Sequence, residues 1–372
     1  MITPLKASHI SKMESEKENA KFAKLIVSPV PKGMLTVAIP NYNNEGVLCD
    51  VMCSHLGHFQ AMNIEILIYD NCSSDKSWEI ISSFCRQSAN IMAVRLPRNT
   101  GPHVSANIVL RSARTKYTLF SSGNDVIANN LLLARMYAYL EANEGIDLVY
   151  GRNIRNSTFS EPAEHTFSVP GRSRRVILGL SDQDCMDIAT SLYTSSEPLW
   201  GLYRTAMIKE IPIVNSYGND HFIISALALR GGITGIMQPF REVSDEVRTL
   251  QDLRESQVQL TYALPKEIAL LPPINHTNFM ALAHTYYQGI KALSITLPCE
   301  TIYRTLKIIV FRFSTLIFTE LRAYKELHDR LSVSYERMPA WLRIDIEAQH
   351  EFVACIFLPL VKDELLFREK AQ

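Results

Sequence analysis

The chain has 372 residues, 47% hydrophobic and 20% charged, an ordinary globular composition long enough for two or three domains. Lys plus Arg and Asp plus Glu are both 38, so the formal net charge is zero. The basic excess of a nucleic-acid-binding surface is missing, and no nucleic-acid partner is expected.

Residues 1–33 read as a polar arm. Its lead, "SHISKMESEKENAKFAK", lacks the hydrophobic core of a secretory signal, so a cytoplasmic location is expected, with contact at the inner face of a membrane as a further option. "MLTVAIPNYNN" (Met34 to Asn44) then reads as a buried strand ending on a polar loop. The seven cysteines are scattered. Cys49 and Cys53 lie one helical turn apart, but no second Cys or His pair has zinc-site spacing, so free buried thiols in a reducing compartment are expected.

"IEILIYDNCSSD" (Ile64 to Asp75) repeats the pattern, an apolar run, then Asp70, then turn-forming residues. "IMAVRLPRNTG" (Ile91 to Gly101) is a third strand and loop, and "KYTLFSSGND" (Lys116 to Asp125) is a fourth. Helical segments fall between them, at Ser77 to Ser88 and Val104 to Ala113. Strand and helix alternating at this spacing predict an α/β unit with a largely parallel sheet. All four strands run into polar, ligand-capable residues. Ligands of open α/β sheets bind at the carboxyl ends of strands, so these loops are expected to converge on one crevice.

"IDLVYGRN" (Ile146 to Asn153) is a further strand, followed by a less regular stretch to Ser196 that carries a basic "GRSRR". "EPLWGLYRTAMI" and "YGNDHFIISALALRGGITGI" come next, the latter a helix that "RGG" ends. From about Leu250 the pattern is helical, with breaks at Pro265, Pro272, Pro273, Pro298 and Pro339. No segment reads as a membrane span, which needs about 20 apolar residues. "FVACIFLPLV" is short and contains a proline, and Lys307 and Arg312 interrupt "TLKIIVFRFSTLIF". Neither GxGxxG nor GxxxxGK[ST] occurs, so a nucleotide binding here does so without those phosphate loops.

Six stretches carry a resemblance: "TVAIPNYNN", "IEILIYDNCSSDKS", "RNTGPHVSAN", "KYTLFSSGNDVIANNLL", "EPLWGLYRT" and "YGNDHFIISALALRGG". In this order they resemble family 2 glycosyltransferases of the GT-A fold. Each motif alone is weak; together they span more than half of the chain. The resemblance implies an α/β, Rossmann-like domain with a mostly parallel sheet flanked by helices over residues 34–250. Residues 34–125 would be its nucleotide-binding half and 126–250 its acceptor half, with 251–372 a helical C-terminal region.

The resemblance also implies roles. Pro40, Asn41, Tyr42 and Asn43 would line the base and ribose end of a nucleotide-sugar donor. Asp70 would accept a base N–H, a charge-assisted bond; it also reads as an Asx turn opening "DNCSSD". Asn99 and Gly101 would sit against the nucleotide. Asn124 and Asp125 fall where the family carries the acids that hold Mn²⁺ or Mg²⁺ on the donor diphosphate. Asn124 brings an oxygen but no charge, both residues also suit a helix cap near Ala128, and the histidine that many members place after the last strand is absent from "PFREVSDEVRTL". Basic residues standing in for part of the metal's work, Arg241 among them, are the alternative. Asp220 matches the family's catalytic base, and Trp200 and Gly201 would lie under the sugar or acceptor.

The implied activity is sugar transfer, with inversion, from a nucleotide-sugar to a saccharide or lipid-linked hydroxyl, in glycan or surface polysaccharide synthesis. A non-catalytic GT-A relative that binds a nucleotide-sugar or a partner enzyme is the rival. A nucleotidyltransferase would need a basic, glycine-rich first loop, which "PNYNNEG" is not. In the C-terminal region, Ile302, Leu306, Ile309, Phe313 and Leu316 share one helical face, suited to packing on the catalytic domain or in a homo-oligomer. Arg304, Lys307 and Arg322, beside Ile308 and Phe311, suit peripheral membrane contact.

Overall fold

In a computed structural model of the chain, the structure describes residues 30–59, 64–127, 129–155, 197–211, 220, 223–224, 227 and 232–243. The expected N-terminal arm to residue 29, the basic "GRSRR" and the C-terminal helical region lie outside the described residues.

The first half alternates as the sequence predicts: β1 (Leu35–Asn41), α1 (Leu48–Phe59), β2 (Glu65–Asp70), α2 (Ser77–Gln87), β3 (Ile91–Arg95), α3 (Pro102–Ser112) and β4 (Tyr117–Phe120). β1 and β4 are buried almost throughout, which is why they read as apolar runs and not as alternating ones. The four strands are parallel neighbours in the order β3-β2-β1-β4. α3 opens on Pro102, whose missing N–H costs nothing at a first helical position.

The second half departs from the parallel pattern. It comprises β5 (Asp125–Ile127), α4 (Asn130–Ala142), β6 (Ile146–Arg155), a 3₁₀ turn (Glu197–Trp200), β7 (Leu202–Arg204), α5 (Thr205–Glu210) and β8 (Gly232–Val243). β7 enters between β4 and β6 and is antiparallel to both. β6 and β8 are parallel, and β5 closes the edge antiparallel to β8, giving an eight-stranded mixed sheet. β8 runs through Pro239, which a central ladder normally rejects. Tolerance comes from register shifts against β6 around Arg152, which pairs with Pro239. Two apolar clusters form the core. One is built around Val37, Ile39, Ile66 and Leu119, the other around Phe120, Leu148, Tyr203 and Ile233.

Arg204 ties the halves together at the sheet's other end. Its guanidinium donates to the carbonyls of Ile146 (2.8 Å), Asn143 (3.0 Å) and Leu140 and to the Tyr117 hydroxyl (3.1 Å). It also lies 3.7 Å from the Asp147 carboxylate. Removing it strands these acceptors in the interior. Arg204→Ala is expected to cost about 3 kcal/mol in urea denaturation; a loss below about 1 kcal/mol would make the contacts incidental.

The thiols differ from expectation. Cys49 and Cys53 are exposed on α1, while Cys72 and Cys85 are partly covered, and all four are free. α1 turns its apolar face inward through Leu48, Val51 and Met52, so the cysteines fall on the outer face. Among the described residues, no helix is long and apolar enough to cross a membrane.

Candidate functional site

The carboxyl ends of β1, β2 and β4 meet in one polar cluster, as the strand-end argument predicts. Asn41 and Asp70 are opposite one another in the β1–β2 ladder. The Asp70 side chain is fully enclosed, and donors reach both its oxygens. Oδ1 accepts from Asn41 Nδ2 (3.0 Å) and the Ser73 hydroxyl. Oδ2 accepts from the Ser73 amide (3.1 Å) and faces Arg95 Nε at 3.5 Å. A carboxylate offers about four acceptor positions, and here protein groups supply four partners. Asp70 therefore holds the two loops together in this structure.

The loops after β1 and β2 are laced along their length. The Asn43 amide donates to Ser73 Oγ (3.0 Å), the Ser74 amide to Asn43 Oδ1 (2.9 Å) and the Asn44 amide to Ser77 Oγ (2.9 Å). Asn43 and Cys72 both take positive φ, 51° and 62°, which the lacing maintains. Pro40 and Tyr42 are partly exposed and Asn43 is exposed, so all three border the crevice that Asn41 supports from beneath.

Asn71, which sequence reasoning passed over, does for the third loop what Asp70 does for the first. Its Oδ1 accepts from the Thr100 amide (2.9 Å) and hydroxyl (3.0 Å), and its Nδ2 donates to Asn99 Oδ1 (2.8 Å). Asn99 stays partly exposed, and Gly101 turns the chain into α3 at φ 81°. The signal for Asn71 and Ser73 was present in "DNCSSD", whose side chains are the right length to bond nearby backbone.

The β4–β5 turn carries Ser122, Gly123 and Asn124. Gly123 sits so close to β1 that a side chain there would strike Asn41 Oδ1 and come within 2.9 Å of Asn44 Nδ2. Asn124 is partly exposed, with its carbonyl oxygen against the Ser122 hydroxyl. Neither Asn124 nor Asp125 caps the next helix. Asn129 does, accepting from the Leu132 amide at 2.9 Å.

Asp125 is buried and paired. Its Oδ2 lies 3.3 Å from Arg241 Nη2, with side-chain exposures of 3% and 6%. Burial pushes its carboxyl above the ordinary value, and the Arg241 charge opposes that rise. The Arg241 guanidinium lies 4.1 Å from the centre of the Trp200 ring, and Phe120 stacks on the same indole at 4.7 Å with 9° between planes. Trp200, partly exposed, thus packs against both a phenyl ring and a guanidinium. Gly201 is buried against β6, where an added side chain would stand 2.6 Å from both Leu148 Cδ1 and the Val149 carbonyl. Its smallness serves that close approach of backbones.

Asp220 is helical and partly exposed, on one face with buried Ile223, Ile224 and Leu227. Tyr203 is its neighbour. Burial, and then the Asp220 carboxylate, push the Tyr203 hydroxyl well above its ordinary range. That hydroxyl donates to the carbonyls of Leu199 and Pro198 (3.2 Å to the latter) and so fixes the turn that carries Trp200.

The residues present do not fit a divalent ion at Asn124 and Asp125. One is a neutral amide, and the other is an enclosed carboxylate already neutralised by arginine. Among the described residues, no three His, Cys, Asp or Glu side chains group as metal ligands.

A mixed, mostly parallel sheet flanked by helices, with polar strand ends gathered at one edge and no glycine-rich phosphate loop, is the GT-A glycosyltransferase arrangement. Comparison with known proteins agrees: residues 36–194 match the model of glycosyl transferase family 2. Over those residues the chain is similar to family 2 glycosyltransferases. A Haemophilus influenzae protein named as an uncharacterized glycosyltransferase is 25% identical over 162 residues, 42% of this chain and 64% of that protein. The poly(ribitol-phosphate) beta-N-acetylglucosaminyltransferase TarS of Staphylococcus aureus is 25% identical over 183 residues, 47% of this chain and 28% of that protein. The chain thus spans less than two thirds of the length of these relatives. The crystal structure of S. aureus TarS 1–349 superposes with a TM-score of 0.47 at 17% identity, covering 82% of this chain and 91% of that one.

Proposed function

We propose that the protein transfers a sugar from a nucleotide-sugar donor to a hydroxyl of a saccharide or lipid-linked acceptor, with inversion, in the synthesis of a glycan or surface polysaccharide. The observation that carries this reading is the polar cluster at the carboxyl ends of β1, β2 and β4, inside a family 2 domain. Buried Asn41, Asp70, Asn71 and Ser73 make its frame, and Pro40, Tyr42, Asn43, Asn99 and Asn124 make its accessible rim. The nucleotide lies along that rim. Asp220 takes the proton of the acceptor hydroxyl as its oxygen attacks the anomeric carbon and the nucleoside diphosphate departs. Relatives named for transfer to poly(ribitol-phosphate) support a hydroxyl-rich polymer as the acceptor class.

The test is calorimetry of the full chain against a panel of UDP-, GDP- and dTDP-sugars, followed by product analysis with oligosaccharide and polyol-phosphate acceptors. One donor binding and being consumed with inversion is the expected result. A donor that binds without turnover on any acceptor would favour a binding-only relative, and no binding at all would end the reading.

Gly123→Ala probes the same cluster. The new methyl group must displace Asn41, which braces both Asp70 and Asn44. A stability cost of about 1–2 kcal/mol is expected, with weaker donor binding. Unchanged donor affinity would place the donor away from this turn.

A further inference from the structure

We propose that Arg241 takes the place of the divalent ion in this domain, closing Asp125 into a fixed internal ion pair, so that the donor diphosphate is bound without a metal on Asn124 or Asp125. The inference rests on the donor-binding reading above.

Four observations carry it. The first is enclosure. A divalent ion needs several oxygen ligands and, for Mg²⁺, retained waters, yet the Asp125 side chain is 3% exposed with Arg241 Nη2 at 3.3 Å. The second is the clamp on the guanidinium. It lies over Trp200, which is itself stacked on Phe120, so the cation cannot swing away to release the carboxylate without leaving the indole ring. The third is register. In the β5–β8 ladder Arg241 stands opposite Ile127, two residues from Asp125, the spacing that puts side chains on one face of a sheet. The fourth is Asn124, which adds no charge and whose carbonyl oxygen already meets the Ser122 hydroxyl. A dication brought to Asp125 would stand beside a guanidinium in a water-poor site, where like charges repel strongly.

The clamp also gives the arrangement a use. It joins the turn of the proposed diphosphate site to Trp200 and to the 3₁₀ turn that the Tyr203 hydroxyl fixes. Arg241 is thus a positioning residue, acting through Asp125 and Trp200.

The experiment uses the full chain in two arms. In the first, Mn²⁺ alone is titrated and the free ion is followed by its paramagnetic resonance signal, for the natural chain, Asp125→Asn and Asn124→Asp. No stoichiometric uptake by the natural chain or by Asn124→Asp is expected, because Arg241 still holds Asp125 in both. Uptake of one Mn²⁺ that Asp125→Asn removes, or uptake gained with Asn124→Asp, overturns the proposal. In the second arm UDP and GDP are titrated by calorimetry in Mn²⁺ and in chelator. An affinity unchanged within about threefold is expected, and a loss of about tenfold or more in chelator overturns the proposal. If neither nucleotide binds under any condition, the donor-binding reading fails, and the first arm alone still decides whether Asn124 and Asp125 take up a metal.

Discussion

Asp220→Asn is expected to lower sugar transfer by about a thousandfold, within the range of a lost general base, while leaving donor affinity within about twofold. The amide keeps the shape of the carboxylate but cannot accept the acceptor proton at neutral pH. The structure gives Asp220 few structural duties that the amide would fail. It is partly exposed, at the edge of a helical face whose anchoring is done by Ile223, Ile224 and Leu227. Its neighbour Tyr203 is fixed by bonds to Leu199 and Pro198 that do not involve it. Single-turnover transfer read beside calorimetric donor binding separates the outcomes. A variant retaining kcat within about threefold of the natural chain removes Asp220 from the chemistry. Loss of donor binding in parallel with activity would instead make it a donor ligand.

Asp70→Ala is expected to be the most damaging single change to the fold of the site, costing about 3–4 kcal/mol in chemical denaturation. It leaves Asn41 Nδ2 and the Ser73 amide and hydroxyl without their shared acceptor in a fully enclosed place. Asp70→Asn keeps the volume but turns an N–H₂ toward donors, so about half of that cost is expected. Nucleotide binding should fall in both variants in proportion to the stability lost, with no change in base preference. This distinguishes bracing from reading. Were Asp70 to bond a base directly, Asp70→Asn would alter the ratio of UDP- to GDP-sugar affinity in a protein of nearly natural stability.

What the sequence by itself determined is the first half of the sheet. Each of β1, β2, β3 and β4 is a local apolar run closed by turn residues, and α2 and α3 alternate with them within one or two residues of the predicted bounds. Local periodicity suffices where a strand is buried on both faces and its parallel partners are its near neighbours in the chain. The convergence of their ends followed from that topology, and "PNYNN", "DNCSSD" and "SSGND" do lie together.

Only the tertiary structure decided which of these polar residues face outward and which brace. Asp70 and Asn43 are equally polar in the sequence, but one is wholly enclosed and the other exposed. The division depends on four donors arriving at one carboxylate from residues 41, 73 and 95, distances along the chain that no local pattern measures. The same holds for the second half of the sheet. β7 inserts antiparallel between β4 and β6, and β8 returns more than a hundred residues after β5 to pair with it. That pairing brings Arg241 to Asp125. A strand read alone shows an acid at the place of a metal ligand, and only the arrival of a distant guanidinium, held on Trp200, turns that acid into half of an ion pair.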